Sequence, residues 1–270
     1  MPTLIPIILV LFACLALAAG LINSLMRPAH RLLTKASIYW GMLMALVALI
    51  WHSIVQHQWM PLDDNFESLL WIGLLIAGFV LYVQRTRPLM GLDWFLLPIV
   101  ILLLASATLF GRIAPHFYSS DAWDWFHRTS SYLGAAAFAV ACAGGAMYLI
   151  ANHRLRSKTA LPNPYMASLE RLEHLTFASV TLGFALLTIG LITGFMIAVH
   201  DGGSSQLGPH WLLSPKVLLS GAVWIVYALV LHSPINPRFR GRRAAMLSIL
   251  GFVLMLGTLI AVQFMPEVRR

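Results

Sequence analysis

Ten histidines stand in this chain of 270 residues beside ten acidic side chains, so imidazole is as abundant as carboxylate among the groups with chemistry to offer. One of them lies in WDWFHRTSSYLG, residues 123–134, where it follows two tryptophans and a phenylalanine at the mouth of a long apolar run. Neutral imidazole is a common metal ligand and a standard axial ligand of haem iron. Zinc is the competing metal, but it needs three or four convergent ligands, which the histidine spacing does not supply. Cys14 and Cys142 sit inside apolar runs without CxxC spacing, which argues against thiol–disulfide chemistry and a cysteine metal site. The sequence has no HExxH, no Ser-His-Asp order in its loops and no phosphate-cradling glycine loop, so a binding or handling role is expected rather than an enzyme's.

The elements that must position these histidines are set by hydropathy. Some 59% of the residues are hydrophobic and 10% charged, whereas soluble domains carry about 25% charged residues. Apolar stretches long enough to cross a bilayer recur at 4–22, 37–55, 67–84, 94–111, 127–151, 176–199, 214–232 and 245–264. The expected fold is all-α, a polytopic transmembrane bundle of about eight spans forming a single integral membrane domain over residues 1–270. The first run, MPTLIPIILVLFACLALAAG, has no positive charge before it and Arg27, Arg31 and Lys35 after it, so an uncleaved first helix is expected.

Of the 18 Lys and Arg residues, 13 fall in the loops 23–36, 85–93, 152–175 and 233–243. The alternate loops carry Asp63, Asp64, Asp121, Asp124 and Asp201 and a single Arg112. The positive-inside rule then puts the basic loops in the cytoplasm and both termini on the outer, periplasmic side. The +8 net charge is thus a topology signal, and no nucleic-acid partner is expected. By this topology His57, His116, His127, His200 and His210 lie at the outer face, with His52 slightly deeper. His30, His153, His174 and His232 lie at the inner face. A span is about 30 Å deep, so a histidine of one face cannot share a metal with one of the other. Trp59, Phe117, Tyr118, Trp123, Trp125, Phe126 and Trp211 share the outer layer with its histidines. An aromatic belt accounts for such residues singly; with histidines among them they also make a shelf suited to a flat, amphipathic porphyrin.

Four stretches, in order, resemble the cytochrome c assembly family, the haem-handling membrane proteins of the CcsA type. PLDDNFESLLW, 61–71, is similar to the family's proline-led segment ending in an aromatic, Glu, Ser and Leu. WDWFHRTSSYLG is similar to the segment in which a tryptophan precedes an external histidine by four residues. LGFALLTIGLITG, 182–194, resembles the glycine-punctuated helix before the haem-binding loop. SPKVLLSGAVWIVYALVLHSPINPRFRGRRAAMLSILGF, 214–252, resembles the Pro-Lys, Leu-His and Arg-Gly-Arg sequence that follows it. The likeness covers about residues 45–260.

The resemblance implies a non-covalent b-type haem in a protein of the bacterial inner membrane that takes part in haem handling or delivery for cytochrome c assembly. It implies that His127 is the first external haem ligand, with Trp123 beside it, and that His232 ligates haem iron held within the membrane. Trp211 and Lys216 would match the end of the tryptophan-rich loop. In the family that loop holds further tryptophans and an acid, whereas here it reads GSSQLGPHWLLSPK; in this respect the chain resembles the shorter, HemX-like branch. The family's second external histidine lies beyond the last helix, where this sequence reads QFMPEVRR. The outer partner of His127 is therefore sought in His210 first, then in His200, His116 and His57. The partners implied are membrane lipid, haem, other cytochrome c assembly proteins and apocytochrome c. Two other readings stay open at this point: a membrane accessory of haem biosynthesis or its regulation, and a transport component for a small solute or metal ion.

Plainer roles stand beside these. Proline after His232-Ser233 bars continuation of the helix, so His232 could simply end it. His52 with Ser53 suits interhelical packing. Glu67 at the start of its span suits the helix macrodipole. RFRGRR, 238–243, is mainly a topology determinant.

Overall fold

The computed structural model describes residues 4–26, 31–56, 65–86, 91–110, 122–157, 167–200, 213–233, 236 and 240–264. Among them are eight α-helices and no strand. The helices are α1 (Leu4–Met26), α2 (Arg31–Gln56), α3 (Asn65–Thr86), α4 (Leu92–Phe110), α5 (Ala122–Arg156), α6 (Leu169–His200), α7 (Pro215–Leu231) and α8 (Arg242–Phe264). Seven are long and apolar enough to cross a membrane, and the protein is a multi-pass membrane protein. The remaining one, α7, has 17 residues, about 25 Å at the α-helical rise, at the lower end of spanning length.

α5 and α6, at 35 and 32 residues, exceed the 25 and 24 residues expected for these spans, because polar turns extend the helices past the apolar runs. Before α6 the hydroxyl of Ser168 accepts from the backbone N–H of Arg171 at 3.4 Å, so SLERLEHL starts as a capped helical turn.

The helices form two compact units. In the first, α1 packs on α2 and α4, α2 on α3, and α3 on α4, which closes a four-helix ring. Lipid tails are as apolar as leucine, so helices in a membrane hold together by close packing and interhelical hydrogen bonds. Both are present. A Cβ at Gly41 would lie 2.7 Å from Leu17 Cγ, so α1 and α2 meet at near-backbone distance. The hydroxyl of Ser53 on α2 donates to Glu67 Oε1 on α3 at 2.8 Å, and Glu67 is fully buried. The His52 ring lies 4.6 Å from that of Phe66. His52 and Ser53 therefore tie α2 to the start of α3, as the packing role requires. At the other end of the bundle Ser24 donates to Asp93 Oδ2, and the Trp94 indole N–H donates to Ser24 at 2.9 Å.

In the second unit α5 packs on α6 and α8, and α7 bridges α6 and α8. Its centre is a stacked pair, Phe138 of α5 on Tyr227 of α7, with ring centroids 3.7 Å apart and planes 5° from parallel. Tyr227 also donates its phenol to the Ser248 carbonyl of α8 at 3.3 Å. A Cβ at Gly145 would sit 2.8 Å from the Ala245 carbonyl oxygen, so α5 and α8 touch backbone to backbone. The Trp224 indole N–H donates to Thr188 at 3.1 Å, fixing α7 on α6.

Candidate functional site: a histidine held by a glycine-lined helix

His127 is the sixth residue of α5, and its ring is turned onto α6. Nδ1 lies 2.7 Å from the Gly190 carbonyl oxygen. A carbonyl can only accept, so Nδ1 carries the proton and the neutral ring keeps its lone pair on Nε2. The Gly190 carbonyl belongs to a helix, but it has two lone pairs and can serve a second donor. The Thr193 hydroxyl reaches the same oxygen at 3.1 Å and the Ile189 carbonyl at 2.8 Å.

The approach depends on missing side chains. A Cβ at Gly194 would lie 2.8 Å from His127 Cε1 and 3.0 Å from Nδ1. One at Gly190 would lie 2.7 Å from the Ser131 hydroxyl. Gly190 and Gly194 are four apart and so share one face of α6, which becomes a seat for the imidazole. On α5 the Ser130 hydroxyl donates to the His127 carbonyl at 3.1 Å, within the same turn.

Three charged groups act on the ring electrostatically: Asp124, Arg128 and Lys216. Lys216 stands in the first turn of α7, after Ser214 in extended conformation and Pro215, whose fixed φ suits a helix start. The fold thus brings His127 and Lys216, distant in sequence, to one end of the second unit. Trp123 lies one turn before His127 and is 59% exposed, with Trp125 and Phe126 also exposed beside it.

His232 occupies the other end. It caps the C-terminus of α7, its backbone N–H donating to the Ala228 carbonyl. Its Nδ1 lies 2.9 Å from the same oxygen, so in its neutral form Nε2 again keeps the lone pair, here on an exposed ring. The adjacent Ser233 lines a small cavity with Tyr148 of α5 and Glu173 of α6. Tyr148 is 21 residues beyond His127 on one continuous helix, about 31 Å at the α-helical rise. His127 and His232 cannot serve one metal centre.

His57, His116, His210 and Trp211 lie outside the described residues, and His200 ends α6. His153 and His174 are exposed on α5 and α6. Among the described residues no three His, Cys, Asp or Glu side chains converge as a metal cage would need. Three participants were not singled out from sequence: the Gly190 carbonyl, Gly194 and buried Arg128. The first two stand in LGFALLTIGLITG, where glycines at i and i+4 are a signature of a close-packed helix face.

In the second unit His127 and His232 thus each set Nδ1 against a helix carbonyl, so that the neutral ring keeps its lone pair on Nε2. The chain belongs to the Cytochrome C assembly protein family, which it matches over residues 32–268. It is 27% identical over 253 residues to the cytochrome c biogenesis protein CcsA of Prochlorococcus marinus strain MIT 9312, covering 83% of this chain and 79% of that protein. It is 26% identical to that of Synechococcus sp. strain WH7803, covering 78% and 68%, and 25% identical to that of Guillardia theta, covering 79% and 76%. No solved structure matches the chain.

Proposed function

We propose that the protein binds haem non-covalently and handles it for cytochrome c assembly, with His127 as an axial ligand through Nε2. The observation that carries this reading is the Nδ1–H bond from His127 to the Gly190 carbonyl. Metal-ligating histidines characteristically donate their other ring nitrogen to a carbonyl or carboxylate, which fixes the tautomer and raises ligand basicity. A porphyrin brings four nitrogens of its own, so a lone oriented imidazole meets its need whereas a bare zinc ion would lack ligands. When bound, haem supplies an iron that takes axial ligands and cycles between two oxidation states.

This chain's residues hold and orient. The Gly190 carbonyl fixes the imidazole, Gly194 leaves room for it, and exposed Trp123 offers an indole face one turn before it on α5. His232 is the ligand proposed for a second haem at the other end, its Nδ1 fixed by the Ala228 carbonyl in the same manner. The proposed setting is the bacterial inner membrane, with His127 and both termini outward and the basic loops in the cytoplasm, following the charge asymmetry of the loops. The second outer ligand is proposed among His210, His200, His116 and His57, and apocytochrome c as the eventual recipient.

Deleting the gene in its host and staining membranes for covalent haem tests the role in assembly. The expected result is loss of c-type cytochromes, restored by the wild-type chain and not by His127→Ala. Undiminished c-type cytochromes in the deletion strain would reject it in favour of haem biosynthesis or transport.

A further inference from the structure

The helix α6 carries four threonines. Thr181, Thr188 and Thr193 each donate the hydroxyl to the carbonyl one turn back, of Phe177, Phe184 and Ile189, at 2.9, 2.7 and 2.8 Å. That local bond is an ordinary way to satisfy a hydroxyl in a helix inside a membrane. Thr176 departs from it. Only 5% of the residue is exposed, and its Oγ1 is buried without a hydrogen-bond partner among the described residues. The hydroxyl meets α5, where a Cβ at Gly144 would lie 2.6 Å from it. Among the described residues four other buried polar atoms lack a partner, on Trp71, Gln84, Thr129 and Ser214, but each of those residues is less buried than Thr176.

Thr176 also lines the small cavity that Ser233 borders, where all four helices of the second unit meet. Tyr148 comes from α5, Glu173 and Thr176 from α6, Val230 from α7 with Ser233 just past its end, and Ala245 from α8. The loop before α8 makes room for the phenol: Gly241 has a φ of +62°, and a Cβ there would lie 2.8 Å from the Tyr148 oxygen. The cavity holds about 20 Å³, and one water needs at least about 10–15 Å³. Glu173 is the charged residue of the lining, and it stands 3.7 Å from Arg240, so the pair is neutral. An ion would add an uncompensated charge inside the bundle. A water instead brings donors and acceptors to hydroxyls that can take either role.

We propose that this cavity is the site of one internal water, held by the Thr176 hydroxyl and shared with Ser233 and Tyr148. The water joins the end of α7, where His232 is the cap, to α5 and α6. The site stands apart from the haem reading and does not depend on what His232 ligates.

Thermal unfolding of the full-length protein in detergent tests it, because the sign of one substitution decides. T176V keeps the shape of the side chain and deletes the hydroxyl. With the water present, T176V is expected to lower the midpoint by about 2–4 °C, the scale of one hydrogen bond in a chain of this size. A dry hydroxyl is a cost to the folded state, so an unchanged or raised midpoint would overturn the proposal. S233A is expected to lower the midpoint as well, and the double variant to fall little below the lower of the two singles, since both act through one water. Full additivity would overturn the shared water. Wild-type midpoints in sodium, potassium and choline chloride at equal ionic strength are expected to coincide. A lower midpoint in choline would make the occupant an alkali cation and overturn the assignment to water.

Discussion

His127→Ala is expected to abolish haem ligation at its end of the bundle while leaving the bundle folded. The imidazole is seated by a backbone carbonyl and two glycines, so its removal leaves no buried charge behind and opens a gap against Gly194. Loss of an outer-shell partner typically costs 10–100-fold in metal affinity, so loss of the ligand itself is expected to cost more than about 100-fold. The measurement is the Soret and α-band spectrum of purified variant and wild type at equal protein. Added imidazole should refill the gap and partly restore the bands. A spectrum unchanged by the substitution would remove His127 from the ligand set.

Gly194→Val is the second large effect, and it leaves the ligand itself in place. A Cβ at this position would fall 2.8 Å from His127 Cε1, and the neighbour is a ring held at 2.7 Å by the Gly190 carbonyl. The ring must therefore leave its seat, and the Nδ1–H bond that fixes the tautomer goes with it. The expected loss of haem affinity is about 10–100-fold, the range for outer-shell changes, although the chain still carries His127. Thermal unfolding in detergent separates this from simple destabilisation, because overpacking of one interface costs about 1–3 kcal/mol. Full affinity in Gly194→Val would show that ring orientation is immaterial.

Much of this could be read in the residues. The eight helices follow from apolar runs, and the runs locate them to within a few residues at most ends. α5 and α6 extend beyond their runs because a helix continues as long as its backbone is satisfied, and hydropathy marks only the part in hydrocarbon. His127 was legible because an ionisable ring at the edge of hydrocarbon is uncommon and its aromatic neighbours are conspicuous. Its support was not legible. A carbonyl acceptor has no residue type, so nothing in the letter of Gly190 says that its oxygen takes the histidine proton. Arg128 was passed over because a single basic residue in the first turns of a span reads as interfacial. In the fold only 6% of it is exposed. Lys216 was named for its Pro-Lys context, and the fold adds that it acts on His127 from another helix.

The central claim is that this chain, a member of the Cytochrome C assembly protein family, holds haem in its membrane bundle through His127. The most direct test is the visible spectrum of gently solubilised wild-type protein, with haem quantified by pyridine haemochrome. A Soret band at stoichiometric haem, extracted fully by acid acetone as a non-covalent group and diminished in His127→Ala, is the predicted result. Folded, monodisperse protein that carries no haem and takes up none on titration would contradict the account.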